Sequence, residues 1–247
     1  MRKRHYRQSM IQYYRVTLLH RHLFVELPEG RALIDTGAPF SASRTGRLTW
    51  REESHGVHRG GYMGFNFDWL SAKIGVQVDA LLGMDLLAQT TLFFDVHHGR
   101  LTVGGEIPPG FTPRQYEVLP TSDLPVLPIL IGGLPARAAW DTGAQLGYVT
   151  DWKYLRHAEP AEGFVDFSPM FGDIEVPSSH VARIVIDGHH LTERFGLAPE
   201  TRGGGMSPVP MKTFLEALDL EAIIGPSWMP RVKVWLNPLD RTYALGV

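Results

Sequence analysis

The octet RALIDTGA, residues 31–38, returns as RAAWDTGA at residues 137–144, and the two copies agree at six of eight positions. A single Asp-Thr-Gly is typical of a β-turn, because the Asp side chain bonds to its own backbone and Gly supplies a positive φ. Here each copy follows an apolar, strand-like run, and Asp35 and Asp141 stand 106 residues apart. The pairing indicates an internal repeat rather than two unrelated turns.

Two further blocks recur in the same order. VDALLGMDLL (78–87) shares with LEAIIGPSWM (220–229) the pattern apolar, acidic, Ala, two aliphatics, Gly. An apolar run, a turn and an Arg then follow in both copies, as FFDVHHGR (93–100) and VWLNPLDR (234–241). Three ordered blocks predict two related lobes, the second longer by 36 residues between its first two blocks.

The remaining sequence favours a chain that is mostly β. Short apolar runs bounded by Gly, Pro and Asp recur, whereas helix-forming runs are few. Asp187-Gly188, between two apolar runs, predicts a tight hairpin turn. A stretch rich in Pro and Gly, 104–123, suits a connection between the lobes. The predicted bounds are 1–108 for the first lobe, 109–123 for the connection, and 124–247 for the second lobe with its insertion.

Paired carboxylates in equivalent places of two lobes suit peptide hydrolysis. Two carboxylates about 3 Å apart cannot both ionise, so they share one proton near neutrality. The ionised partner takes a proton from a water held between them, and the protonated partner donates to the scissile carbonyl. A threonine next to each aspartate can lock the two loops by hydroxyl-to-backbone hydrogen bonds, and a glycine after it allows close backbone approach.

The two octets, each followed by an aliphatic-aliphatic-Gly motif (81–83 and 223–225), resemble those of the aspartic proteases, the pepsin and retropepsin group. The resemblance implies an all-β fold of two homologous closed-barrel lobes packed as a pseudo-dimer, with few short helices and substrate in the cleft between the lobes. It also implies the site residues. These are the catalytic pair Asp35 and Asp141, and the supporting residues Thr36, Gly37, Thr142 and Gly143.

Enzymes of this group cover their substrate with a mobile hairpin, the flap. RGGYMGFNF (59–67) follows the first aspartate at the corresponding distance, and we predict the flap tip at Gly60, Gly61 and Tyr62. A plain surface hairpin is the alternative interpretation. The matching segment of the second lobe, FSPMFGD (167–173), lacks the glycine pair, which favours a single flap.

Four positions in or directly after the octets depart from the family pattern. Pro39 and Gln145 stand where retropepsins usually carry an acidic residue that orients the substrate, so the resemblance assigns no specificity residues here. Ala38 and Ala144 replace the Ser or Thr usual in pepsins. Because a hydroxyl donor to the charged form is lost, the pKa of the pair should rise. The sequence therefore predicts an activity optimum at mildly acidic to neutral pH.

Composition excludes several other classes. The net charge of −2 argues against a nucleic-acid or anionic-membrane partner. The sequence has no run of about 18 apolar residues, so it predicts no membrane-spanning helix. Two of the four histidine pairs adjoin turn signals, which favours solvated loops over a metal site, so we expect no metal and no cofactor. GxSxG, Walker and HExxH motifs are absent from the sequence, which disfavours serine hydrolases, nucleotidases and zincins.

The compartment is predicted to be the cytoplasm. Cysteine is absent, which fits a reducing compartment. The basic start, MRKRHYR (1–7), suits a solvated tail, and polar and aromatic residues follow where a signal peptide would be apolar. Since one chain supplies both lobes, we expect a monomer that acts on a peptide or protein substrate.

Three functions are compatible with these observations. The first is an aspartic endopeptidase that needs no cofactor. The second is a non-catalytic peptide-binding or scaffold protein with an acid-protease fold, which has no need of two matched carboxylates. The third is a narrow processing enzyme that cuts one partner or itself.

Overall fold

The computed structural model describes residues 11–119 and 122–247. The basic stretch at residues 1–7, in which we expected a solvated tail, lies outside the described residues. The N-terminal half, residues 11–103, contains two short helices, α1 (Phe67–Ile74) and α2 (Met84–Leu87). Its strands are β1 (Gln12–Leu19), β2 (His22–Leu27), β3 (Gly30–Ile34), β4 (Ala42–Ser43), β5 (Arg47–Trp50), β6 (Glu53–Gly56), β7 (His58–Arg59), β8 (Gly61–Tyr62), β9 (Phe65–Asn66), β10 (Ala80–Leu82), β11 (Leu92–Asp95) and β12 (Arg100–Val103).

The C-terminal half, residues 114–246, contains the helix α3 (Met211–Ala217) and two 3₁₀ turns (Trp152–Leu155 and Met229–Arg231). Its strands are β13 (Arg114–Gln115), β14 (Glu117–Val118), β15 (Pro125–Ile131), β16 (Leu134–Trp140), β17 (Gly147–Val149), β18 (Glu159–Ser168), β19 (Gly172–Ile186), β20 (His189–Leu197), β21 (Ala222–Ile224), β22 (Lys233–Asn237) and β23 (Thr242–Gly246). The described chain is thus mostly β with few helices, as predicted.

A four-strand unit occurs once in each half with the same pairing and the same register. In the order β2-β3-β10-β4, the three pairings are antiparallel, parallel and antiparallel. The order β15-β16-β21-β17 repeats them. Ala80 lies opposite Ala32, and at the repeat positions Ala222 lies opposite Ala138. We call this arrangement the repeat unit. It carries the octets and the aliphatic blocks that recur in the sequence.

The C-terminal repeat unit belongs to a closed barrel of six strands. Its order is β15-β16-β21-β17-β20-β19, and β19 returns to β15 through the pairs Leu130–Val185 and Ile131–Ile184. The long strands β19 and β20 make this closure possible, and they are joined at Asp187-Gly188, both with positive φ as the predicted hairpin turn requires.

The prediction of two closed barrels holds for this half only. Among the described residues of the N-terminal half, the strands β1-β2-β3-β10-β4-β7 form an open sheet. The segment that should close it is divided into strands of two to four residues and helix α1, which are too short to return to the first strand.

A shared sheet joins the two halves. Strands β1, β12 and β11 continue into β22, β23 and β13, and the junction pairs β11 with β22 in antiparallel register. Phe93 lies opposite Trp235 at this junction. One buried apolar cluster includes residues of both halves, with Trp50, Trp140 and Trp228 fully buried. No helix in the described part of the chain is long and apolar enough to cross a membrane.

Helix α1 has clear start and stop signals. The Asn66 side chain accepts a hydrogen bond from the Trp69 N–H at 2.8 Å, which caps the first turn. Gly75 ends the helix in the left-handed conformation, with φ of 76°. The helix thereby presents Leu70 and Lys73 to the cavity described below.

Candidate active site

Asp35 and Asp141 hold equivalent positions in the two repeat units. Each directly follows a buried strand, β3 or β16. The Asp35 N–H donates to the Leu82 carbonyl and the Asp141 N–H to the Ile224 carbonyl, both at 3.0 Å. The parallel strand beside each aspartate, β10 or β21, therefore fixes its backbone in the same way in both halves.

Thr36 and Thr142 join the two aspartate loops by reciprocal hydrogen bonds, and both are fully buried. Thr36 Oγ1 donates to the Trp140 carbonyl at 2.6 Å and accepts from the Thr142 N–H at 3.0 Å. Thr142 Oγ1 donates to the Ile34 carbonyl at 2.8 Å and accepts from the Thr36 N–H at 3.0 Å. Four hydrogen bonds thus hold the loops of the two halves against each other.

Gly37 and Gly143 leave room for the carboxyl group of the opposite loop. A Cβ on Gly37 would lie 2.5 Å from Asp141 Oδ2, and one on Gly143 would lie 2.6 Å from each oxygen of Asp35. Each glycine also donates its N–H at 2.9 Å to the aspartate of its own loop. Each carboxyl group is therefore enclosed by the backbones of both loops, which only glycine permits.

Gly37 and Gly143 let the two carboxyl groups approach each other, so we expect the pair to titrate as one unit. Burial raises the pKa of both. The negative charge of Asp141 raises the pKa of Asp35 further, well above its ordinary value. The backbone N–H groups of Gly37 and Ala38 oppose this rise but do not outweigh it. The pair therefore retains one proton to a higher pH than isolated carboxyl groups would.

The predicted flap segment forms a hairpin, with its turn later than expected. β8 and β9 are joined by Met63-Gly64, with φ of 47° and 83°. A two-residue hairpin turn of type I′ requires positive φ at both central positions. The predicted tip, Gly60, Gly61 and Tyr62, lies just before this turn rather than at it.

Tyr62 lies beside the carboxyl pair. Its side chain is buried, and its ring centroid is 5.0 Å from that of Phe40. Burial raises the pKa of Tyr62, and the charges of Asp35 and Asp141 raise it further. The hydroxyl therefore stays protonated at the edge of the site.

A second hairpin, from the C-terminal half, also lies beside the pair, although we expected only one. β18 and β19 pair from Glu159–Val181 to Ser168–Gly172, with the turn at residues 169–171. Asp166 and Phe167 near this turn line the cavities that contain Asp35. The absence of a glycine pair in the segment pointed away from a flap. The paired strands, which run for 10 and 15 residues, are what bring it to the site.

The two hairpins contact each other above the aspartates through aromatic side chains. The Phe167 ring centroid lies 5.2 Å from that of Phe65 and 4.1 Å from that of Trp69, both edge-to-face. Lys73 on α1 forms an ion pair with Asp173 on β19. Its ammonium lies 5.3 Å from the Trp69 ring centroid. Because the Asp173 side of the ion pair is largely exposed and such pairs contribute little, the aromatic contacts contribute most to holding the hairpins together.

Two cavities meet at the pair. One, of about 210 Å³, lies toward the N-terminal half between Asp35, Leu33 and Leu70. The other, of about 490 Å³, reaches from Asp141 to apolar side chains of the C-terminal half such as Phe214. Together they provide space on both sides of the carboxyl groups, mostly lined by apolar side chains.

The structure thus brings together all six residues predicted as the catalytic pair and its support, together with Tyr62. Within residues 11–119 and 122–247, no cluster of three or more His, Asp or Glu side chains is arranged to hold a metal ion. Pro39 and Gln145 line the larger and the smaller cavity respectively. Sequence reasoning did not find Asp166, because no repeated motif marks it.

No family model and no curated protein sequence matches the chain. Solved structures that match it include the solution structure of simian foamy virus (mac) protease. That protein is 16% identical to this chain, the match covers 42% of this chain and 91% of the viral one, and the TM-score is 0.28. Since a likeness at this level transfers no residue roles, the chemistry of this site rests on its own geometry.

Proposed function

We propose that this protein is an aspartic endopeptidase in which Asp35 and Asp141 act as one proton-sharing unit. The observation that carries the proposal is the facing pair of carboxyl groups, one from each repeat unit, enclosed by both glycine loops. Two homologous lobes packed as a pseudo-dimer, bounded at 1–108, 109–123 and 124–247, account for this arrangement. Since both carboxyl groups come from one chain, a monomer suffices, and the proposed chemistry needs no cofactor.

The proposed reaction begins with a water held between the two carboxyl groups. Asp35, whose pKa is raised more strongly, carries the shared proton and donates it to the oxygen of the scissile carbonyl. The ionised Asp141 removes a proton from the water as the water oxygen forms a bond to the carbonyl carbon. The product is a tetrahedral diol. When its C–N bond breaks, the proton held by Asp141 passes to the nitrogen, and the diol gives a proton back to Asp35 as the new carboxyl group forms.

The two hairpins would cover a peptide bound in the cleft. Contacts of Phe167 with Phe65 and Trp69 hold them together, so these contacts must open for a peptide to enter. Closure over the peptide would exclude bulk water and strengthen the electrostatic interactions of the pair. Tyr62 would line the cleft next to the reacting carbonyl.

Digestion of an unbiased peptide library tests the proposal. We expect cleavage that pepstatin inhibits, with a bell-shaped pH dependence of kcat/KM and a maximum at mildly acidic to neutral pH. The raised pKa of the pair moves its singly protonated form to higher pH, which gives this direction. A maximum near pH 2 to 3 would contradict the pH assignment. Binding of library peptides without cleavage at any pH between about 3 and 8 would favour the scaffold function instead.

A further inference from the structure

Asp166, outside the catalytic pair, is a buried carboxyl group of the C-terminal hairpin. The residue is only 8% exposed, yet it lines both cavities that meet at Asp35. One carboxyl oxygen accepts from the Tyr148 hydroxyl at 2.6 Å, and the other accepts from the Phe167 N–H at 2.7 Å. Since an ionised carboxylate has about four acceptor sites, these two hydrogen bonds leave about two of them for a bound group.

Asp166 lacks a cationic partner among the described residues. Lys73 lines the same small cavity, but its ammonium is paired with Asp173. Burial, with the nearby charge of Asp141, raises the pKa of Asp166 to about 6, although both hydrogen bonds favour its ionised form. A buried carboxylate without a cation is costly, and a cation that enters the cavity would remove this cost.

We propose that Asp166 forms a substrate subsite for a cationic side chain, Lys or Arg, at one position of the bound peptide. The inference rests on the proposed endopeptidase function and adds a substrate class to it. The apolar walls of the small cavity, among them Leu33, Leu70 and Val165, suit the methylene stem of such a side chain. The charged end then reaches the free acceptor sites of Asp166. Besides the carboxyl pair, Asp166 is the only carboxyl group among the described residues that lines either cavity, so selectivity comes from this group.

The subsite also makes the two halves of the cleft different. The hairpin of the N-terminal half presents Tyr62 to the pair, whereas the hairpin of the C-terminal half presents Asp166. The two hairpins therefore offer different chemistry to a peptide. Such a peptide would bind in one direction, with its basic side chain toward the C-terminal hairpin.

Matched peptides test the subsite in the full chain. Internally quenched peptides, built on a sequence that the library shows to be cleaved, carry Arg or its neutral isostere citrulline at each position in turn. At one position we expect kcat/KM to be about 10- to 100-fold higher for Arg, the range for one hydrogen-bonded charge pair. No preference for Arg at any position would overturn the subsite, and this outcome requires no variant.

Asp166→Asn assigns the preference to this residue. The Asn carbonyl oxygen can still accept from Tyr148, so a purely structural role would leave the Arg-to-citrulline ratio unchanged, whereas the subsite predicts a fall to near one. Glu175→Gln is the matched control, because it removes an exposed carboxylate from the same hairpin and should keep the wild-type ratio. An unchanged ratio in Asp166→Asn would contradict the assignment.

Binding measurements separate failure of the subsite from failure of the endopeptidase. Asp35→Asn leaves Asp166 in place, and fluorescence anisotropy gives its Kd for Arg and citrulline versions of library peptides that it binds, whether or not wild type cleaves them. A preference for Arg in binding, with no cleavage by wild type, would support the subsite and overturn the endopeptidase. Cleavage without any Arg preference would support the endopeptidase and overturn the subsite.

Discussion

Asp35→Asn is expected to lower kcat/KM for a cleaved peptide by about 10⁴-fold, the upper range for loss of a general acid or base. Asn keeps the oxygen that accepts from the Gly37 and Ala38 N–H groups at 2.9 Å, so the loop should stay in place. It cannot hold or transfer the shared proton. Asp141→Asn should cause a loss of the same order, because each carboxyl group works only with the other.

The double variant distinguishes a pair from two independent groups. Residues that act as one unit show strongly non-additive losses, so Asp35→Asn with Asp141→Asn should be little worse than either single change. Asp151→Asn is the control. It is an exposed aspartate that caps a 3₁₀ turn, and Asn caps such turns equally well. Full activity of either single variant would contradict the assignment of the pair.

Thr36→Val is expected to lower the free energy of unfolding by about 2–5 kcal/mol, because it leaves two buried backbone groups unpaired. These are the Trp140 carbonyl and the Thr142 N–H, at 2.6 and 3.0 Å from Thr36 Oγ1. Val has nearly the same shape, so little packing is lost. Urea denaturation followed by tryptophan fluorescence measures the change, and Thr142→Val should give a similar value.

The two threonines should be coupled, because each hydroxyl bonds to the backbone of the other loop. The double variant should therefore be more stable than the sum of the single losses predicts. Thr91→Val provides the comparison, since this hydroxyl makes one bond, to the Gly105 carbonyl at 2.8 Å. We expect it to cost only about 0.5–1.5 kcal/mol. An equal cost at Thr91 and Thr36 would show that the interlock adds no stability of its own.

The repeated blocks were sufficient to predict the elements that position the pair. The octet and the aliphatic block became β3 with β10 and β16 with β21, paired in identical register. Local patterns suffice here, because an apolar strand followed by Asp-Thr-Gly leaves few conformations for the loop. The contacts between the threonines could be anticipated for the same reason, since equivalent loops meet near one axis.

The two hairpins that cover the site could not be predicted in this way. The turn at Met63-Gly64 displaced the expected flap tip, and the second hairpin depends on the lengths of β18 and β19. Strand length and barrel closure are decided by contacts between distant segments, such as β15 with β19, which sequence periodicity does not encode. Asp166 stayed hidden because burial beside Tyr148 is a tertiary property.

Stability as a function of pH tests the central claim, a proton-sharing pair, without any knowledge of the substrate. The pKa of Asp35 is higher in the folded protein than in the unfolded chain. Wild-type stability therefore falls as pH rises from the unfolded pKa to the folded one. Asp35→Asn removes this titration and the repulsion between the charges of Asp35 and Asp141.

The measurement is the difference in Tm between Asp35→Asn and wild type from about pH 4 to pH 8, with Asp151→Asn as the control. We predict that Asp35→Asn is the more stable protein near pH 7 and that its advantage shrinks steadily toward pH 4. A difference that does not change with pH, or that matches the control, would contradict the pairing of Asp35 with Asp141.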